Sequence, residues 1–153
     1  MMTLTAKRTM YRLIAVFFLA QTAVMAGEQS MATNSNRSLK ACPTSPNCVS
    51  SQAESSDKEH YIKPWQGSGD LQRDQQQLLA LLSTMDSCEV IEQDGNYLHA
   101  TFTSRWLRFV DDVEFLIDAE QIHIRSASRS GHSDFGVNRK RMEKLAQRWQ
   151  KEQ

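Results

Sequence analysis

The chain has 153 residues, with 18 basic and 18 acidic side chains and a formal net charge of zero. This length favours one domain rather than several. The balanced charge disfavours general binding to nucleic acid, which requires a clear positive excess.

The first residues have the pattern of a secretory signal peptide. Lys7, Arg8 and Arg12 form a positive region, and the apolar run LIAVFFLAQTAVMA follows. The run is short for a membrane anchor, which needs roughly 20 residues, and Val24 and Ala26 suit signal peptidase. We therefore predict export, to the periplasm or the extracellular space if the source is bacterial. Cleavage would remove three positive charges and leave a net charge of about −3, which again disfavours nucleic acid.

Three segments are expected along the chain: a signal peptide over 1–26, a flexible leader over 27–40 and a single domain over 41–153. The leader is polar and shows no hydrophobic period. The domain begins with an irregular stretch that still carries apolar residues, among them Tyr61 and Trp65. We predict that this stretch is an ordered cover laid across the domain.

The chain contains three cysteines, Cys42, Cys48 and Cys88. An oxidising compartment permits a disulfide between Cys42 and Cys48, although three pairings are open. Two closely spaced cysteines without a histidine cluster do not predict a zinc site.

Hydrophobic periods predict a helix, four strands and a final helix. The first helix is capped by Asp70 and ends near Thr84, and its apolar face carries Leu71, Leu78, Leu79 and Leu82. The strands are predicted over 88–93 and 97–104, around 112–118, and over 121–128. The last helix is predicted from about Val137 to Trp149, with an apolar stripe of Met142, Leu145, Ala146 and Trp149.

Short connections imply antiparallel pairing, so we predict an α+β fold in which both helices pack on one face of a four-stranded antiparallel sheet. Alternation directs one set of residues inward: Leu98, Ala100, Phe102, Val113, Phe115, Ile117, Ile122 and Ile124. The opposite face would carry Tyr97, His99, Thr101, His123 and Arg125. The irregular segment with Tyr61 and Trp65 is the predicted cover of that face.

The stretch from Arg125 to Trp149 concentrates polar residues at the start of the last helix, for which Asp134 is the predicted N-cap. Free N–H groups at a helix start favour an anion, and Arg125 and Arg129 could add charge-assisted bonds. The alternative is local: Arg129 pairs with Asp111 or Asp112 and ties the loop down. Adjacent acids on a strand point to opposite faces, so these two aspartates are not expected to act as a pair.

Other patterns predict structure rather than chemistry. The SGHSD stretch does not make a catalytic triad, because neighbours on a tight turn cannot form the relay. His99 and His123 share a face but lack a third metal ligand. The basic side of the last helix, with Arg141, Lys144, Arg148 and Lys151, is expected to be solvated.

The segments CPTSPNCVSSQA, FVDDVEFLID and IRSASRSGHSDFGVNRKRMEKL resemble, in this order, the signature segments of the domain-of-unknown-function 1499 family. The resemblance covers nearly all of residues 41–149. It implies a small domain, often exported or lipid-anchored in bacteria, and no established activity, cofactor or catalytic residue. The matching positions are Cys42, Ser45, Pro46, Asn47, Ser50, Ser51, Asp111, Asp112, Arg125, Ser126, Ser128, Arg129, Gly131, Asp134, Gly136, Asn138 and Arg139.

Our leading hypothesis is a non-enzymatic exported domain that binds a small anionic ligand or an envelope protein, without cofactor or metal. The candidate binding residues are Arg125, Arg129, Ser126, Ser128, Asp111, Asp112, Ser50, Ser51, Asn138 and Arg139. One alternative is a hydrolase-like enzyme that uses a serine or an aspartate of the same cluster. Another is a structural domain in which the signature locks the fold. The sequence does not indicate contact with a membrane or an oligomeric state.

Overall fold

A computed structural model describes residues 37–151, so the predicted signal peptide and most of the predicted leader lie outside the described part. In chain order the elements are β1 Cys48–Ser50, β2 Trp65–Gln66, α1 Leu71–Ser83, β3 Cys88–Asp94, β4 Tyr97–Thr103, β5 Val110–Ile117, β6 Gln121–Ser128 and α2 Val137–Lys151. The fold is α+β, with two helices and a mostly antiparallel sheet.

The sheet has six strands within the described residues, two more than predicted. Its order is β1-β6-β5-β4-β3, and β2 also pairs with β6. All these pairings are antiparallel, and one isolated parallel bridge joins Ser50 to Tyr61. The two additional strands have three and two residues. Strands this short carry no readable alternation, which is why the sequence pattern misses them.

The first helix confirms the predicted cap, and both helices confirm the predicted apolar stripes. The side chain of Asp70 accepts hydrogen bonds from the backbone N–H groups of Gln72 and Arg73 at the start of α1. The buried side chains of α1 include Leu78, Leu81 and Leu82, and those of α2 include Met142, Leu145 and Trp149. They pack with the predicted inward residues of β4, β5 and β6 in one core.

The prediction that Trp65 covers the opposite face is wrong. Its ring lies in the core on the helix side, 5.6 Å from the ring of Phe115 and 6.1 Å from that of Trp149. Trp149 Nε1 donates to the carbonyl of Gln66 at 2.9 Å. The segment before α1 therefore extends the helix layer, because pairing of β2 with β6 turns Trp65 towards the helices.

The opposite face, called the open face below, is contacted instead by residues at the start of the described chain. Leu39 packs in a small apolar cluster with Tyr97 and Leu116. The guanidinium of Arg37 lies 3.4 Å from the centroid of the Tyr97 ring. These two residues belong to the stretch predicted as flexible leader, and both are held against the sheet.

Cys42 and Cys48 form a disulfide with their Cα atoms 5.7 Å apart. Cys88 is a free thiol at the start of β3, and burial raises its pKa to about 11. The thiol therefore stays largely protonated at neutral pH.

Replacing both Cys42 and Cys48 with serine should lower the free energy of unfolding by about 2 kcal/mol, because the bond closes a loop of only six residues' separation. Urea denaturation would measure the loss. Reduced wild-type protein should match the double variant, and Cys88→Ala, which keeps the disulfide, should lose the same stability on reduction. Equal stability of the wild type and the double variant would contradict a structural bridge.

Candidate binding site

Asn138 is fully buried in the first turn of α2 and connects its own signature segment to the first one directly, and to the segment of Asp111 through Arg141. Its Nδ2 donates to the carbonyl of Asn47 and to the hydroxyl of Ser128, both at 3.0 Å. Its Oδ1 accepts from the hydroxyl of Ser126 and, at 2.7 Å, from Nη1 of Arg141. The Asn138 amide thus uses its donors and acceptors entirely within the protein.

Arg141 extends this network to β5. Its Nη2 donates to Oδ2 of Asp111, and both side chains are nearly buried. Its guanidinium also lies 4.9 Å from the centroid of the Phe102 ring. The expected solvation of Arg141 is therefore wrong, and Asp111 is paired with α2 rather than with Arg129. We call Asn138, Arg141, Asp111, Ser126, Ser128 and Asn47 the Asn138 network.

Two further signature residues bind backbone. The carboxylate of Asp134 accepts from the N–H groups of Gly136 at 2.9 Å and Asn138 at 2.7 Å, at the start of α2. Nη2 of Arg139 donates to backbone carbonyls between residues 58 and 61, including that of Tyr61 at 3.0 Å. Both residues fix loops to the helix.

Ser51 belongs to a chain of polar contacts that superficially resembles a catalytic triad. Its Oγ lies 3.4 Å from Nδ1 of His123, and Nε2 of His123 lies 3.3 Å from Oδ2 of Asp118. Ser51 is buried, however, and its Oγ accepts the backbone N–H of Ile124 at 2.9 Å. A nucleophile must reach its substrate, so these contacts hold the segment after β1 against β6 and do not form an acyl-transfer site. Ser50 is also buried, and its Oγ accepts from the N–H of Gln52.

The open face carries a second, separate network centred on Glu114. Its Oε2 accepts from Nη1 of Arg125 at 2.6 Å, and its Oε1 accepts from the hydroxyl of Tyr97 at 2.8 Å. Burial, together with the hydrogen bond to this carboxylate, raises the pKa of Tyr97. Nε of Arg125 is buried and has no hydrogen-bond partner within the described residues. The guanidinium is thus paired with protein groups through Nη1 alone.

Asp112 is the second acid of the open face and is held between two partners. Arg129 donates to it from Nε at 3.0 Å and from Nη2 at 2.8 Å, and Nε2 of His99 lies 2.8 Å from its Oδ1. The hydrogen bonds from Arg129 lower the pKa of Asp112, partial burial opposes them, and His99 adds to the lowering. Asp112 is therefore an anion at neutral pH. Asp111 and Asp112 do point to opposite faces.

A cavity of about 360 Å³ lies over these two networks on the open face. Its cationic lining residues are Arg37, Lys40 and Arg125, and its acidic ones are Glu92, Asp112 and Glu114. Arg37 donates to Glu92 at 2.7 Å. Lys40 is exposed and makes no ion pair with the described residues. The cavity therefore has one cation without a partner and one, Arg125, that is incompletely paired.

The structure divides the predicted site in two. Arg125, Asp112 and Ser128 line the cavity, and Arg129 holds Asp112 beside it. The other candidates lie away from the cavity. Asp111, Ser126 and Asn138 belong to the Asn138 network, and Arg139, Ser50 and Ser51 hydrogen-bond to backbone groups. Sequence reasoning missed Arg37 and Lys40, which precede the domain boundary it predicted and show no periodic signal.

Within residues 37–151, no group of three or more His, Cys, Asp or Glu side chains is placed to hold a metal ion. Over the same range, none of the helices combines the length and apolar character needed to cross a bilayer.

Comparison with protein families identifies the family of this chain. The profile of the family described as "Protein of unknown function (DUF1499)" matches residues 38–148. Neither the curated proteins nor the solved structures contain a match to the chain. The matched range contains the Asn138 network and nearly all of the lining of the open-face cavity. The chain therefore belongs to the DUF1499 family, whose function is unknown.

Proposed function

We propose that the chain is an exported, non-enzymatic binding domain that holds a small oxyanion, a carboxylate or a phosphate, in the open-face cavity. The observation that carries this proposal is the set of three cationic side chains around one cavity, of which Lys40 has no acid partner among the described residues. Lys40 would supply an uncommitted charge to the ligand. Arg125 would supply the N–H groups that Glu114 does not use.

The acids of the cavity orient these cations rather than neutralise them all. Glu114 fixes the Arg125 guanidinium through one nitrogen, and Glu92 fixes Arg37 through another ion pair. A guanidinium held in place loses less conformational entropy when an oxyanion binds.

Binding is favoured over hydrolysis because the serines of the cluster are committed. The Oγ of Ser126 is buried against Asn138, and the Oγ of Ser51 is buried against Ile124. Asp111 and Asp112 are ion-paired with arginines on opposite faces of the sheet. None of these groups combines an accessible nucleophile with a neighbouring base, which is the arrangement that hydrolysis requires.

A structural role fits the part of the signature that faces the helices. The Asn138 network joins α2 to β6, β5 and the segment before β1 through buried hydrogen bonds. We assign this role to Asn138, Ser126 and Asp111, and the binding role to the open face.

Export is supported by the disulfide and by the signal-peptide pattern. Disulfides persist in oxidising compartments such as the periplasm and the extracellular space, and are rare in the cytosol. The bond between Cys42 and Cys48 therefore agrees with the secretory pattern at the start of the sequence.

The binding proposal predicts that inorganic phosphate or succinate raises the melting temperature of the wild type, because a ligand that binds only the folded state stabilises it. Lys40→Ala should abolish the rise and leave the melting temperature without ligand unchanged, since Lys40 is exposed and unpaired. Thermal unfolding at constant ionic strength, with each anion titrated separately, distinguishes a phosphate from a carboxylate site.

Lys140→Ala is the matched control, because Lys140 is an exposed lysine on α2, outside the cavity lining. It should keep the full response to the anion. An equal response of wild type and Lys40→Ala would contradict the assignment of the site to this cavity, and so would the absence of any response to either anion.

A further inference from the structure

We propose that one end of the sheet is a membrane-docking surface, with Trp106 and Phe135 at its tips, which inserts into the headgroup region of an anionic lipid bilayer. The surface is formed by two loops, 104–109 between β4 and β5, and 129–136 between β6 and α2. It is distinct from the open-face cavity, and the proposal does not rest on the binding function.

Large apolar side chains project from both loops. Trp106 is 90% exposed and Phe135 is 89% exposed, and the exposed apolar residues next to them are Leu107, Phe109 and Val137. Scattered single apolar residues on a surface are ordinary, but a local concentration of aromatic ones marks an interaction site. Among the exposed large apolar residues of the described chain, only Val90 and Ile91 lie elsewhere, on β3.

The sheet register brings the two loops together. Thr103 pairs with Val110 across β4 and β5, and Asp111 pairs with Ser128 across β5 and β6. The N–H of Arg129 donates to the carbonyl of Val110 at 3.0 Å, so the second loop leaves the sheet beside the first. A groove of about 880 Å³ runs beside loop 104–109, between it and the starts of β3 and α2, and its lining includes Arg105, Arg108 and Val137 together with the acids Asp86 and Glu89.

Both loops hold a bulky residue in the left-handed backbone region. Arg108 has φ 56° and Phe135 has φ 54°. This region costs a non-glycine residue roughly 1–2 kcal/mol. Such strain is often retained where function needs a side chain in a set direction, and here the result is an aromatic ring directed into solvent.

The positive charge of loop 104–109 favours an anionic lipid bilayer as the binding partner of this surface. Arg105 and Arg108 flank Trp106 and Leu107, and neither arginine forms an ion pair within the described residues. Loop 104–109 contains no acid, and Asp134 in the other loop is bound to the start of α2. Aromatic rings at headgroup level and arginines facing anionic lipid are the two features of interfacial binding.

Tryptophan fluorescence tests the proposal directly, because Trp65 and Trp149 are buried and Trp106 is exposed. The full chain is mixed with vesicles of phosphatidylcholine and phosphatidylglycerol that carry brominated acyl chains. We expect a blue shift and quenching of Trp106, and much weaker effects with phosphatidylcholine alone. Pelleting is not the readout, because the apolar run near the N-terminus of the sequence can itself bind vesicles.

Single substitutions measure how much the apolar and the basic side chains of the surface each contribute to vesicle binding. Phe135→Ser and Leu107→Ser should reduce the quenching, and Arg105→Ala and Arg108→Ala should each weaken binding to anionic vesicles about fivefold. Ile91→Ser is the matched control, because it removes an exposed apolar side chain from β3, and it should leave the signal unchanged.

Three outcomes would overturn the proposal. Trp106 emission that does not respond to anionic vesicles excludes insertion. A Trp106 contribution that is already blue-shifted without lipid, taken as the difference between the emission of the wild type and that of Trp106→Phe, means in a protein that sediments as a monomer that another part of the chain covers the surface. A dimer that dissociates when Trp106 is replaced by serine identifies a second copy of the chain as the occupant instead.

Discussion

Replacing Asn138 with leucine should lower the free energy of unfolding by about 4 kcal/mol. The substitution roughly preserves volume but removes an amide whose four hydrogen bonds lie in the protein interior. The hydroxyl of Ser126 then has no acceptor for its proton, and the hydroxyl of Ser128 loses its donor. Nη1 of Arg141 loses one of two acceptors, and the carbonyl of Asn47 keeps only the N–H of Ser128. Each orphaned buried group costs about 1–3 kcal/mol. Urea denaturation of the wild type and of Asn138→Leu measures the difference. Both curves are fitted with the same dependence of the free energy of unfolding on urea concentration.

Gln147→Leu is the control for this experiment, because Gln147 is an exposed amide in the same helix. Glutamine and leucine have similar helix propensities, so the control should change stability by less than about 0.5 kcal/mol. A loss below about 1 kcal/mol for Asn138→Leu would mean that water or a rotated neighbour satisfies the orphaned groups, and it would refute the structural role of the Asn138 network.

The local elements of this fold can be predicted from sequence because their determinants are close together in the chain. Asp70 caps α1, as predicted, because the first N–H groups of a helix need an acceptor one turn away. β6 was predicted with its bounds at Gln121 and Ser128, because its apolar alternation is regular. The same alternation also explains why Asp111 and Asp112 separate onto two faces.

The site is harder to predict because it depends on contacts between distant parts of the chain. Arg37 reaches Glu92 across 55 residues of sequence, and Lys40 precedes every strand. Asn138, in contrast, gave a usable signal: it lies four residues before Met142, so it continues the buried stripe of α2. A polar residue at a core position must find partners, and this rule alone could have singled out Asn138 as the connecting residue.

Replacing Arg125 with leucine should lower the free energy of unfolding by about 3 kcal/mol, because it leaves the buried carboxylate of Glu114 without its cation. Arg129→Leu is the matched comparison. Arg129 is 49% exposed, and its pair with Asp112 should contribute no more than about 1 kcal/mol. Thermal and urea unfolding of the two variants side by side measures the contrast.

A double variant separates the cost of leaving the Glu114 carboxylate unpaired from the cost of losing the packing of the Arg125 side chain. Glu114→Gln keeps an oxygen that accepts the hydroxyl of Tyr97 but removes the buried charge, so Arg125→Leu combined with Glu114→Gln should be more stable than Arg125→Leu alone. Two additive losses would show that the cost lies in the packing of the arginine stem, not in an unpaired carboxylate. Because Arg125 also lines the cavity, its own replacement cannot report ligand binding cleanly. The exposed Lys40 can, since its removal leaves no buried acid behind.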